Sequence, residues 1–181
     1  MIFFLDFDRT IFDFDFFEKE ILAPRPEFKT YLDKAAQFES GSLERQKIWA
    51  ELASKLDYVD GSNFTQCVFP DSRSFFEKHA SNIVIITFGN KSFQKLKVEK
   101  SLTGIEWKDT LYVEKGLKGP VVKKFLQENQ EAVFVDDKLE NLVSVKSECP
   151  WVSVYEMRRD GEGGEGSYPV IRDFNELESL I

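Results

Sequence analysis

The sequence predicts an α/β domain: a doubly wound parallel sheet, interrupted directly after its first strand by a small helical insertion. Three observations predict it. Short apolar runs recur that are continuous instead of alternating, which is how strands covered on both faces read. Helical patterns lie between these runs, and strand and helix in alternation build a parallel sheet with helices on both sides. One segment, 17–68, breaks the rhythm, holding helical patterns and no strand run. A chain of 181 residues suits one domain carrying such an insertion and is long enough to bury a core.

The first run, IFFLDFD over 2–8, opens the sheet; IVIITF (83–88), DTLYV (109–113), AVFVD (132–136) and WVSVYE (151–156) supply the other strands. Helices are predicted over 71–80 with Asp71 as cap, over 90–101 with Asn90 as cap, over 119–129 with Pro120 in the first turn where its missing donor costs nothing, and over 138–147. In the insertion, Phe28, Tyr31, Leu32, Ala35 and Phe38 mark one buried helical face, and Ile48, Trp49, Leu52, Ala53 and Leu56 mark a second that Ser42 caps. Pro24 and Pro26 open the insertion and Asp60-Gly61-Ser62 forms a turn near its end. The domain boundaries are therefore 1–16 and 69–181 for the core and 17–68 for the insertion. RDGEGGEGS (159–167) is a surface loop; no strand-turn-helix pattern surrounds its glycines and its acidic residues repel an anion, so it is no phosphate cradle.

An apolar share of 42% and a charged share of 31% are those of a soluble globular protein, and the 18 Phe residues, Phe12, Phe14, Phe16 and Phe17 among them, are expected in packing. The net charge of -8 argues against a broad nucleic-acid surface, which needs clustered Lys and Arg. Cys67 and Cys149 have no paired spacing and read as free thiols of a reducing cytoplasm. No signal-type start and no membrane-length apolar run are seen, so a cytoplasmic protein without a membrane partner is expected. In that setting the Asn63-Phe64-Thr65 triplet carries no meaning, and His79 reads as a surface or half-buried helix residue without a catalytic part.

In open parallel sheets ligands bind beyond the carboxyl ends of the strands. Asp6, Asp8 and Thr10 follow the first strand, Thr87 closes the second, EKGLKGPVVKK precedes a helix, and Asp136 and Asp137 end the fourth. Carboxylates converging on one point repel one another unless a cation joins them. Oxygen ligands without His or Cys favour a hard cation, and a site that adds a substrate phosphate favours Mg²⁺. A hydroxyl and a lysine in the same crevice suit a phosphoryl group, whose transfer is catalysed by positioning and charge neutralisation. A carboxylate can be the nucleophile, through an aspartyl-phosphate.

Asp6-x-Asp8-x-Thr10 after an apolar strand, Thr87 closing IVIIT, a lysine about twenty residues before an acidic pair, and VFVDDKLEN together resemble the four motifs of the haloacid dehalogenase-like hydrolase superfamily, over 1 to about 156. The resemblance implies a Rossmann-like core in which Asp6 attacks phosphorus, Asp8 serves as general acid and then base, Thr87 binds a phosphoryl oxygen, and Lys118 neutralises the transferring group. Thr10, Gly89 and Asn90 join Thr87 and Lys118 as substrate-binding candidates. Mg²⁺ would be held by Asp6, the backbone carbonyl of Asp8, and Asp137, which Asn141 follows at the family's spacing, with Asp136 the second choice. Lys115, Lys123 and Lys124 read as solvated charges. A carboxylate at position 8 favours phosphoryl transfer over dehalogenation. The insertion resembles a C1-type cap, a lid with Arg25, Arg45, Lys47 and Trp49 as candidates for selecting a small phosphate monoester. A phosphomutase and a non-catalytic phosphate-binding module share this constellation, whereas receiver domains order their acidic motifs differently.

Overall fold

Six strands pair in one parallel sheet of order β3-β2-β1-β4-β5-β6 in the computed structural model, which describes residues 1–39, 41–164 and 166–181. They are β1 (Ile2–Leu5), β2 (Ile83–Phe88), β3 (Asp109–Val113), β4 (Ala132–Asp136), β5 (Ser153–Met157) and β6 (Val170–Ile171). The helices are α1 (Phe14–Phe16), continued by a π-helical turn (Phe17–Leu22), α2 (Pro26–Ala35), α3 (Leu43–Leu56), α4 (Ser62–Thr65), α5 (Pro70–His79), α6 (Lys91–Ser101), α7 (Gly119–Phe125), α8 (Leu139–Glu148) and α9 (Phe174–Glu178).

Side chains alternate across a strand, and here both faces are apolar. Phe3, Leu5, Ile83, Ile85, Val133 and Val135 point to one face and pack on Phe75 and Phe76 of α5, Phe93 and Val98 of α6, and Phe174 and Leu177 of α9. Phe4, Val84, Ile86 and Phe134 point to the other, against Val122 of α7 and Leu142 and Val145 of α8. The doubly wound class predicted from the continuous runs is the one observed.

Several boundaries differ, each for a local reason. β1 stops at Leu5, not residue 8, because the Phe7 carbonyl accepts from the amides of Thr10, Ile11 and Phe12 (3.4, 2.9 and 2.9 Å) and folds the chain into a tight turn, with Arg9 at φ +62°. Asp71 does not cap α5; Phe69 holds that position, and the Asp71 carboxylate instead accepts from Arg159 at 2.8 Å and from the Phe174 amide at 2.9 Å. The α7 helix ends at Phe125, where Leu126 turns extended, and β5 begins two residues later than the apolar run. Phe38 lies beyond the end of α2 and Phe16 on the outer side of α1, so both are exposed, while Phe12 and Phe17 are buried. β6 and α9, of two and five residues, are too short to show a period.

Between β1 and β2 lie α1 to α5, and among the described residues no strand of the sheet. Ser42 caps α3, its hydroxyl accepting from the Arg45 amide at 3.3 Å, and Asp60 closes the turn by accepting from the Ser62 amide at 2.8 Å. Lys100 of α6 donates to the carbonyls of Leu56, Asp57 and Val59 (3.3, 2.6 and 2.9 Å), which occupies acceptors left over at the end of α3. Cys67 and Cys149 are free and buried, and among the described residues no helix is long and apolar enough to cross a membrane. Ser40, within the predicted insertion, and Glu165, within the predicted 159–167 loop, lie outside the described residues.

Candidate active site

The chain leaves β1 toward β2 on one side and β4 pairs on the other, so the strand order reverses between β1 and β4, where open α/β sheets bind ligands. The Asp6 amide donates to the Val135 carbonyl at 2.9 Å, which sets Asp6 beside Asp136 across that seam. Alternation sends both carboxylates to the face covered by α7 and α8. Lys118 meets them from the N-terminal end of α7, and Asn141 from the first turn of α8. Gly119 is the reason Lys118 comes this close: a Cβ there would lie 2.4 Å from the Ser144 carbonyl oxygen, so only glycine lets α7 touch α8 at that point.

Lys118 Nζ donates to Asp6 Oδ1, and to Asp136 Oδ2 at 2.6 Å. Asn141 Nδ2 donates to both oxygens of Asp136 (3.1 and 3.2 Å), and the Lys138 amide to Oδ1 (2.9 Å). Asp6, Asp136 and Asp137 each present a carboxylate oxygen within 4.8 Å of the others. Burial pushes the Asp6 carboxyl well above its usual range; Lys118 opposes this, and Asp136 and Asp137 add to it. Asp137 is pushed up to about 6, by burial and then by Asp136. Burial disfavours the Lys118 charge, but Asp136 and Asp6 outweigh it and hold the ammonium above its ordinary value. When all three are ionised, three carboxylates against one ammonium leave two negative charges in excess, which is room in charge and in donor chemistry for one hard divalent cation.

Asp8 stands on the turn after β1 and meets a different lysine. Lys97 of α6, with no exposed surface, pairs with Asp8 Oδ1, while Gln94 Nε2 donates to Asp8 Oδ2 at 3.1 Å and to the Phe88 carbonyl at 2.9 Å. Burial lowers the Lys97 pKa and Asp8 opposes that shift. Neither Lys97 nor Gln94 stands out as a site residue from the sequence motifs. The signal was their register: Phe93, Lys97 and Ser101 follow at four-residue steps along the buried stripe of α6, where a solvated lysine has no place.

A cavity of about 290 Å³ opens onto both clusters. Asp6, Asp8, Gly89, Asn90, Lys118, Asp136, Asp137 and Asn141 line it, so most of the residues named by the motifs converge there. Gly89 turns the chain after β2 at φ +132°, and Asn90 spends its side chain capping α6, accepting from the Phe93 amide at 3.1 Å. Thr10 and Thr87 do not line the cavity; both hydroxyls are buried and have no hydrogen-bond partner. From the helical segment, Arg45, Gln46 and Trp49 of α3 close the far wall with Phe14 and Glu18. Arg25, bound to the Ile21 carbonyl and to Asn63, and exposed Lys47 are elsewhere. Lys115, Lys123 and Lys124 are outside the cavity, and His79 is half-buried beside Glu178.

No protein-family model and no curated protein matches the sequence. Solved structures do match. A provisionally assigned haloacid dehalogenase-like hydrolase from Burkholderia xenovorans superposes with a TM-score of 0.68 at 16% identity, over 99% of this chain and 95% of the other. The provisionally assigned HAD-hydrolase YfnB from Bacillus subtilis, solved bound to magnesium, gives 0.65 at 15% identity over 99% and 97%. A 2-haloacid dehalogenase from Pseudomonas syringae gives 0.55 at 14% over 99% and 98%. The likeness in each case covers 95% or more of both chains, and the fold of this chain is that of the haloacid dehalogenase-like hydrolases.

Proposed function

We propose that the chain is a Mg²⁺-dependent phosphatase that hydrolyses a small phosphate monoester through an aspartyl-phosphate on Asp6. The observation that carries the reading is one cavity served by two carboxylates with separate partners, Asp6 against Lys118 and Asp8 against Lys97. A nucleophile and an acid-base group that must act in sequence need this independence.

Asp6, Asp136 and Asp137 would hold the cation, with the Asp8 backbone carbonyl as a further oxygen ligand. Bound there, Mg²⁺ supplies positive charge to the carboxylates and to the phosphoryl oxygens. The chain's own residues carry the steps. An Asp6 oxygen bonds to phosphorus as the ester P–O bond breaks, and the proton on Asp8 goes to the departing oxygen. Asp8, now ionised, takes a proton from water as that water bonds to phosphorus and the Asp6–phosphorus bond breaks, so the products are the alcohol and inorganic phosphate. Lys118 compensates charge on the transferring group throughout. Thr87, at the end of β2, keeps its proposed part in donating to a phosphoryl oxygen: its buried hydroxyl has no partner, and because it does not line the cavity that contact requires the site to rearrange around the substrate. We assign 17–68 as the lid, because Arg45, Gln46 and Trp49 close the cavity that the strand ends open.

Dehalogenation, the activity named for the Pseudomonas syringae structure, fits less well. A halide departs without a proton, so that chemistry has no use for an acid two residues beyond the nucleophile, nor for three carboxylates gathered for a cation. The test is phosphate release from an aryl phosphate with Mg²⁺ and with chelator, for wild type and Asp6→Asn. Turnover that needs both Mg²⁺ and Asp6 is expected. A wild type inactive on a broad panel of phosphate esters while it dehalogenates a 2-haloacid would overturn the proposal.

A further inference from the structure

Lys97 has no exposed surface, yet none of the steps above uses it. Its ammonium lies among four phenyl rings, 4.6 Å from the centroid of Phe14, 4.8 Å from Phe93 and 5.6 Å from Phe7 and from Phe12. An apolar side chain of the same length would fill that cage without desolvating a charge, so a lysine there is a poor choice for packing alone. Among the described residues the one carboxylate that pairs with it is Asp8. Gln94, one turn earlier on α6, holds the other Asp8 oxygen and is itself fixed by the Phe88 carbonyl. Asp8 sits past the end of β1 on a tight turn whose next residue is at positive φ and whose backbone is tied to Phe12 by an isolated bridge, so what is left to fix at this position is the side chain.

We infer that Lys97 and Gln94 are positioning residues that hold the Asp8 carboxylate, one oxygen each, in line with the leaving oxygen of the substrate. Each carboxylate oxygen keeps a second lone pair, so the pinned group still carries and delivers a proton. The rings of Phe7, Phe12, Phe14 and Phe93 stabilise the ammonium face-on and leave it one hydrogen-bonding direction, toward Asp8. The inference rests on the phosphatase reading and adds a class of substrate to it: esters of ordinary alcohols, whose alkoxide cannot leave unprotonated and which alone need an acid held this firmly.

The experiment compares kcat/KM of wild type and Lys97→Met on an alkyl phosphate and on dinitrophenyl phosphate, whose phenolate leaves without a proton. Lys97→Met is expected to lose ~100-fold on the alkyl ester and under ~3-fold on the activated one, the size of a misplaced general acid. Gln94→Leu moves in the same direction by ~10-fold on the alkyl ester. In an Asp8→Asn background Lys97→Met adds no further loss on the alkyl ester, because it acts through Asp8. Equal losses on the two esters, or additive losses with Asp8→Asn, overturn the assignment while the phosphatase reading stands. A wild type inactive on both esters and on the broad phosphate panel, while it dehalogenates a 2-haloacid, overturns the phosphatase reading and the assignment with it. Melting temperature checks folding, and if Lys97→Met does not fold, Gln94→Leu decides by the same ratio of losses.

Discussion

Among the described residues two buried lysines pair with aspartates, Lys118 at Asp6 and Asp136 and Lys97 at Asp8, in two opposite ways. Lys118 sits among polar groups: two carboxylates bind it, and Asn141 and the Lys138 amide bind the second of them. Lys97 sits among rings, with one carboxylate that keeps 27% of its side-chain surface open to solvent. The first cluster has surplus negative charge and can accept another cation; the second is balanced one to one and has no use for one. Charge is adjusted at Asp6 and orientation at Asp8, which suits the proposed roles, one carboxylate receiving a phosphoryl group and the other handing over a proton at a fixed place.

The largest effect that follows is at Asp6. Asp6→Asn removes the attacking oxygen's charge, and steady-state phosphate release is expected to fall by ~10⁴-fold or more. Lys118→Met comes next, with a loss of ~10³-fold from uncompensated charge on the transferring group. The same variant leaves Asp6 and Asp136 buried without their shared cation, which costs about 3 kcal/mol in metal-free denaturant unfolding. Lys97→Met is expected to cost about 1 kcal/mol or less, because Met fits the ring cage and water reaches Asp8. If the two methionine variants lose equal stability, the two lysines are not the different devices described above.

The cation itself gives a smaller and purely physical effect. Mg²⁺ at a hundredfold excess over its dissociation constant should stabilise the protein by about 2.7 kcal/mol, or roughly 8 °C in melting temperature. The pH dependence follows from the Asp137 carboxyl, pushed from 3.8 up to about 6. Between those values the folded protein keeps a proton that the unfolded chain has lost, so metal-free stability falls as pH rises through that window. Mg²⁺ requires that proton gone, and the raised Asp6 carboxyl must lose its own as well, so the Mg²⁺-induced stabilisation is small near pH 5 and grows as pH rises. Thermal melts with Mg²⁺ and with chelator across that range test it, and a shift that is constant with pH would place the cation away from Asp137.

How much of this was legible follows from where each residue sits. The β2 and β4 strands were readable to the residue because both their faces are covered and each run ends where the burial ends; β3, at the sheet edge with an exposed first residue, was readable from its own short apolar run. β1 ran too long on paper because Phe7 is buried whether it belongs to the strand or to the turn beyond it, and hydrophobicity does not separate the two. Asp6, Asp8, Lys118, Asp136 and Asp137 announce themselves as charges at strand and helix ends. Lys97 does not, because a lysine inside a helix reads as solvated unless its place on the buried stripe is weighed against its charge. Arg45 and Trp49 were separable from Arg25 and Lys47 only by how α3 lies across the cavity, which no local pattern reports.

The smallest of these effects tests whether the two clusters are separate. Trp49 of α3 stacks on Phe93, with ring centroids 5.0 Å apart and planes at 14°, and meets Phe14 edge-on at 6.0 Å. Both partners are rings of the Lys97 cage, so the helical segment rests on the Asp8 side of the cavity and, among the described residues, has no such seat on Lys118. Trp49→Leu keeps an apolar side chain on the helix but loses the flat contact, and the cage loosens. Turnover of an alkyl phosphate should fall by ~10-fold in kcat/KM, through Asp8 and through weaker closure over the substrate. The Mg²⁺-induced gain in melting temperature should stay at its wild-type size, because Asp6, Asp136 and Asp137 are held by β1, β4, α7 and α8. If that gain shrinks in parallel with turnover, the two lysine clusters form one network that the helical segment tightens as a whole, and the division of labour between them fails.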